Sequence, residues 1–262
     1  CLKLRRVKLG ENHPDTLLTM NNLGMLYFKQ ENYENAEPLF RESLELRIKV
    51  LDKQHPDTLR SMENMGRLHM MKGEYKTAQG LFEECLELQR EVLGETHSDT
   101  LTTMDNLGMC CFNLGDRKKA RELLDESVNL QKVHLGETHP NTLRSICNLS
   151  VLYTAKGDFD KVRPILIQCW EDQKTTLGEN HPRTLTTMNC LARLYMNEGN
   201  SKEALPLFLD CLRIRKDVLG DNHPDTLTTM NHLGRLHMIR GNYNNAEEFY
   251  EECLKLRRVK LG

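Results

Sequence analysis

Histidine recurs at one fixed spacing along this 262-residue chain: His13, His55, His97, His139, His181 and His223 stand 42 residues apart. A histidine series suggests metal ligation, but a tetrahedral site needs several ligands converging on one point. Here each imidazole lies a full period from the next, and all but His97 are followed by Pro. No second ligand type accompanies them. The series reads as a helix-start residue that caps or packs, and no metal or other cofactor is expected. Nine cysteines are the next candidates. Their number is odd and no CxxC spacing occurs, which points to reduced thiols in an intracellular compartment rather than a disulfide framework. Cys85, Cys169, Cys211 and Cys253 share a column with Ser43 and Ser127, a slot for small residues. The adjacent Cys110 and Cys111 could do redox chemistry, but one of them takes a core position. GxSxG, GxxxxGK[ST], GxGxxG and HExxH are absent, so no enzyme activity is expected.

Carboxamides and guanidinium groups recur in register as well. Asn21, Asn189 and Asn231 occupy one column, with Glu63, Asp105 and Cys147 at its other positions. Asn22, Asn64, Asn106 and Asn148 occupy the next, continued by Cys190 and His232. Arg60, Arg67, Arg144, Arg193 and Arg235 lie among them. A carboxamide offers two donors and an acceptor, so a ladder of them can hold an extended peptide backbone without reading its side chains; the alternative reading is that Asn22 and its equivalents tie neighbouring helices together, with the arginines simply solvated.

The elements that must position these groups follow from the period. Six units of 42 residues run from Glu11 to Gly262 without an insertion: 11–52, 53–94, 95–136, 137–178, 179–220 and 221–262. Residues 1–10 read as the tail of a preceding unit. No linker or change of composition interrupts the series, so 1–262 reads as a single domain. Each unit reads as two helices, of about 15 and 18 residues. In the first unit Pro14 suits the first helical position and Asp15 the positive helix start. Leu17, Met20, Leu23, Gly24 and Tyr27 then recur at three- and four-residue steps, one helical face. Ala36, Leu39, Phe40, Ser43, Leu44 and Leu46 to Ile48 form the stripe of the second helix. Leu-Gly closes that helix in later units, as at Leu93-Gly94, where glycine permits a left-handed cap. Met20, Met62, Met104, Met188 and Met230 form one core column.

The period alone does not separate tetratricopeptide repeats from other helical repeats of similar length. The residues do. Leu23-Gly24 with Tyr27, then Ala36 with Phe40, repeat the pattern L-G-x2-Y followed by A-x3-F, and Leu191-Ala192 with Tyr195, then Ala204 with Phe208, follow it again. With LGxxHPDT between units and NNLGxLY opening the first helix, the chain resembles the tetratricopeptide arrays of kinesin light chains. It is also similar to nephrocystin-3 and to the sensor arrays of some NTPase switch proteins. The resemblance implies an all-α, right-handed α-solenoid whose first helices line a concave groove. It implies a non-catalytic protein-binding scaffold, in which Asn22, Asn64, Asn106 and Asn148 match the family's groove asparagines. The face opposite the core holds the positions of Leu18, Asn21, Asn22, Met25 and Lys29. These columns carry six basic groups, the five arginines and Lys29, against the acidic Glu63 and Asp105. A locally positive groove favours an extended, acidic peptide.

Composition excludes other partners. Lys plus Arg number 36 against 38 Asp plus Glu, a net charge of −2, which argues against nucleic acid and polybasic membrane anchoring. Mean hydropathy is −0.59 and no apolar run is long enough for a membrane-spanning helix. The chain begins at Cys1 without a signal pattern, as a fragment or processed piece would, and a cytoplasmic location is expected. One feature supports an alternative. Residues 1–10 and 253–262 both read CLKLRRVKLG, whereas the five equivalent internal stretches match at only three to six positions. This 252-residue super-period suggests either block duplication or head-to-tail self-association into a continuous filament, extracellular in that case.

Overall fold

Every first helix begins at its histidine. The backbone of His13, His55, His97, His139, His181 and His223 is extended, and each Nδ1 accepts the amide N–H two residues on, at 3.2–3.3 Å. The imidazole thus satisfies one of the donors that a helix start leaves unpaired. The 42-residue histidine period is therefore a capping period.

The computed structural model describes residues 2–137 and 139–261. Among the described residues there are thirteen helices and no strand. In chain order they are α1 (Leu2–Leu9), α2 (Pro14–Lys29), α3 (Tyr33–Leu51), α4 (Pro56–Met71), α5 (Tyr75–Val92), α6 (Ser98–Asn113), α7 (Arg117–Leu135), α8 (Pro140–Lys156), α9 (Phe159–Thr176), α10 (Pro182–Asn197), α11 (Ser201–Leu219), α12 (Pro224–Ile239) and α13 (Tyr243–Leu261). Even-numbered helices are the first helices of the repeats. The fold is an all-α helical repeat solenoid. It divides into two units, Cys1–His134 and Leu135–Gly262, each built of helix pairs. No helix among the described residues is long and apolar enough to cross a membrane. The duplicated decapeptide lies partly outside the described residues, which omit Cys1 and Gly262.

Glycine in the left-handed region closes the second helices, as at Gly94 (φ 91°) and Gly220 (φ 88°). The first repeat places Asp52 (φ 73°) there instead, and its Oδ1 accepts the N–H groups of Gln54 (2.8 Å) and His55 (2.9 Å). A short polar side chain that bonds its own turn tolerates this conformation better than most.

In four of the pairs a glycine of the first helix leaves a gap that a side chain of the second fills. In the first unit an added Cβ at Gly24 would lie 2.7 Å from the Phe40 ring, and one at Gly66 would lie 2.6 Å from Phe82. In the second unit Gly234 meets Tyr250 in the same way, at 2.8 Å. The small-residue column of Ser43, Cys85, Ser127, Cys211 and Cys253 is buried, and each donates to the carbonyl of the residue 26 positions earlier, at 3.3–3.8 Å. The methionine column is also buried at Met20, Met62, Met104, Met188 and Met230.

The second-helix stripe departs from expectation at one position. Arg47 is 1% exposed, while the neighbouring Ile48 is 38% exposed. The Arg47 guanidinium reaches the next first helix, donating to the carbonyl of Asp57 (2.6 Å) and to Ser61 Oγ (2.8 Å). Arg215 repeats this with Asp225 (2.7 Å) and Thr229 (2.8 Å). Burial lowers the Arg47 pKa from its usual value, and its Nε has no partner. The equivalents Gln89, Gln131 and Gln173 are equally buried without carrying charge. Removing a buried charge while keeping volume and a donor is often neutral or stabilising. Arg47→Gln is therefore expected to hold or raise the unfolding midpoint, whereas Arg47→Ala should lower stability by about 3 kcal/mol through the lost packing and bonds. Thermal denaturation of both variants measures this; a larger loss in Arg47→Gln would show that the charge itself is needed.

Candidate peptide-binding face

Two polar columns of the first helices interlock instead of standing side by side. In the first unit Asn64 Nδ2 donates to Asn21 Oδ1 (3.1 Å), and Asn106 Nδ2 donates to Glu63 Oε1 (3.3 Å). In the second unit His232 Nδ1 lies 3.3 Å from Asn189 Oδ1, and a disulfide joins Cys147 to Cys190. Each of these four contacts spans 43 residues, one repeat plus one position. They tie α2 to α4, α4 to α6, α8 to α10 and α10 to α12.

This pairing follows the alternative reading, in which asparagines of these columns tie neighbouring helices together. Asn21, Asn64 and Asn189 are buried, as are Glu63 and Asp105. Asn106, Asn148 and Asn231 are half-buried, and Asn22 is exposed. The Asp105 carboxylate accepts from Gln131 Nε2 of α7 (3.3 Å). An amide between two close-packed helices is cheaper to bury when its partner is another side chain, so repetition in register here reflects packing. The two acidic groups of the columns are thus withdrawn from the surface, and the arginines dominate what remains.

The arginines divide by partner. Arg60 is exposed and pairs with Asp57 one turn earlier (2.6 Å). Arg67 places its guanidinium over the Phe28 ring, 5.4 Å from the centroid. Arg144 is exposed and lines a cavity with Cys147 and Asn148. Arg193 of α10 is half-buried and makes a long hydrogen bond to Ser150 Oγ (3.5 Å). Arg235 of α12 is exposed. Among the described residues neither Arg193 nor Arg235 has a carboxylate partner. Burial, then the charge of Arg235, lowers the Arg193 pKa. His232 sits beside them, with Phe208 5.5 Å away between ring centroids. Burial pushes its pKa down to about 4, helped by Arg193, Arg235 and Arg215 in that order. The imidazole is therefore neutral, and among the described residues the cluster is a pair of cations without a counter-ion.

The Cys147–Cys190 bond departs from the expectation of reduced cysteines throughout. The other described cysteines agree with it: Cys85, Cys110, Cys111, Cys169, Cys211 and Cys253 are free and buried. Burial pushes the Cys85 thiol up to about 12 and Cys110 to about 11, so both stay protonated and unreactive. No group of three or more His, Cys, Asp or Glu among the described residues could hold a metal ion.

Comparison with known proteins gives one family. The tetratricopeptide repeat model matches residues 1–49, 15–91, 57–132, 106–171 and 183–258. The fold is similar to the crystal structure of nearly identical TPR-like repeats assigned to a kinesin light chain of Podosopora anserina. That similarity has 27% identity, 78% of this chain and 97% of that one covered, and a TM-score of 0.65. The apo form of RapI aligns at 16% identity over 100% of this chain and 91% of its own, with a TM-score of 0.74. A Rap protein complexed with Competence and Sporulation Factor aligns at 13% identity over 94% of this chain and 64% of its own, with a TM-score of 0.70. The last two share the fold alone. No curated protein matches the chain in sequence.

Proposed function

The chain belongs to the tetratricopeptide repeat family of protein-interaction scaffolds, and on that premise we propose that it binds an extended, acidic peptide segment along its first helices. The observation that carries this reading is the Arg193–Arg235 pair. Two guanidinium groups on successive first helices repel each other, with no carboxylate among the described residues to compensate. An incoming Asp or Glu side chain relieves that repulsion in surroundings partly shielded from water, where charge-assisted bonds are stronger than at an open surface. A Rap protein complexed with Competence and Sporulation Factor has a similar fold. The unbroken 42-residue period supports treating all six repeats as one domain for this purpose. In the unit that holds the arginine pair, the half-buried Asn148 and Asn231 are the carboxamides available to a peptide backbone. Catalysis has no part in this reading.

Fluorescence polarisation with a labelled Glu-rich peptide tests it. Arg193→Ala/Arg235→Ala is expected to weaken binding about tenfold, a loss of about 1.4 kcal/mol. Raising salt to near 1 M should erase most of the affinity of the unaltered protein, since exposed charges are then screened within about 3 Å. Equal affinity of variant and unaltered protein would remove the arginine pair from the binding face.

A further inference from the structure

We propose that Cys147 and Cys190 form a reversible thiol–disulfide site that locks α8 to α10 and so controls peptide binding at Arg193. The controlling part rests on the peptide-binding reading above; the redox part does not.

Position carries the inference first. The pair occupies the two columns whose members elsewhere tie one first helix to the next by hydrogen bonds, Asn21–Asn64, Glu63–Asn106 and Asn189–His232, always 43 residues apart. Between α8 and α10 a covalent bond replaces that weak tie. Cys190 lies one helical turn before Arg193, on the same face of α10. The bond therefore sets how the helix bearing Arg193 sits against α8, whose Ser150 accepts from that arginine.

Access comes second. The six other cysteines that the structure describes are buried, but Cys147 is half-buried. It lines a cavity of about 260 Å³ between the N-terminal halves of α8 and α10, together with Leu143, Arg144, Asn148, Arg183 and Thr186. A reductant can approach the Cys147 sulfur through this cavity, while Cys190 is 6% exposed.

The charge around the cavity comes third. Four repeats place an acidic residue after the helix-start position, Asp15, Asp57, Asp99 and Asp225; these two repeats have Asn141 and Arg183 instead. Two guanidinium groups, Arg144 and Arg183, line the cavity with Cys147. Cationic surroundings favour thiolate, the species that undergoes exchange.

The exchange partner is a dithiol. Its thiolate attacks Cys147 Sγ, the bond between the two protein sulfurs breaks, and Cys190 leaves as thiolate and takes a proton. The second thiol of the reductant then attacks the mixed disulfide, closes its own disulfide and releases Cys147 as a thiol. Two electrons and two protons pass to the protein. Oxidation by a low-molecular-weight disulfide reverses these steps.

The test uses the full chain in two redox states, with helicity checked in each. After oxidised glutathione, a trapped digest should contain the 147–190 cross-link. After dithiothreitol, iodoacetamide should label Cys147 faster than any of the six buried cysteines. Affinity for the Glu-rich peptide should fall about fivefold on reduction. The Cys147→Asn/Cys190→Asn protein, which restores the tie seen at Asn21–Asn64, should show one affinity in both states. Absence of the cross-link would overturn the redox site and leave peptide binding untouched. A cross-link with equal peptide affinity in both states would overturn the control. Peptide binding in neither state would overturn the function proposed above, while the labelling still decides the redox site.

Discussion

Phe82→Ala is expected to lower the free energy of unfolding by about 3–5 kcal/mol, the largest loss from any single side chain considered. Phe82 is fully buried on α5, and its ring stands where a side chain on Gly66 of α4 would stand; an added Cβ there would meet Cε1 at 2.6 Å and Cζ at 2.9 Å. Removing the ring leaves a cavity against a residue with no side chain to move into it, so collapse is limited. Gly66→Ala should cost about 1–3 kcal/mol for the opposite reason, because the ring must shift to admit the new methyl. Together the two changes should cost less than their sum, by about 1 kcal/mol or more, since the methyl enters space the ring has vacated. Urea denaturation of the four proteins, followed by circular dichroism, gives the coupling. Strictly additive losses would mean that the two residues do not share the contact.

The second large effect is on pH dependence. His232 titrates near 4 in the folded chain, against an ordinary value near 6.5. The unfolded chain therefore binds the extra proton first as pH falls. Stability from this group is complete above about pH 6.5, declines below it and is exhausted below about pH 4; a displacement of this size corresponds to about 3 kcal/mol. His237 shifts in the same direction because it is buried near Arg240, so the total slope belongs to more than one group. His232→Asn separates them. Asparagine fills this column at Asn64 and Asn106 and can keep a bond to Asn189. The variant should match the unaltered protein at neutral pH and lose less stability on acidification to pH 4. Parallel pH–stability curves for the two proteins would exclude His232 as a source of acid lability.

The helix starts and the stripes that carry Gly24 and Phe40 were legible because each depends on spacing along one chain segment. The periodic histidine, followed by Pro in five repeats and by Ser98 in the third, predicts a helix start, and the imidazole caps one at each of the six. The Ser/Cys slot was legible as packing, although its hydrogen bond to the carbonyl 26 residues earlier was not.

The candidate site was only half legible. A 42-residue period aligns Asn21 with Glu63 and Asn22 with Asn64, which makes two parallel ladders on paper. Within each of the two units neighbouring first helices are staggered so that a residue meets the one 43 positions away, and members of the two ladders pair with each other. Helical periodicity tells which residues share a face of one helix. It carries no information on the stagger between two helices, which is set by how Gly, Phe and Arg47-type side chains pack across the pair. For the same reason the burial of Arg47, the meeting of Cys147 with Cys190 and the closeness of Arg193 and Arg235 were decided by tertiary structure. The sequence by itself determined the helices and the faces their residues share; the register between neighbouring first helices within each unit determined which of those polar groups pair across helices and which stay exposed.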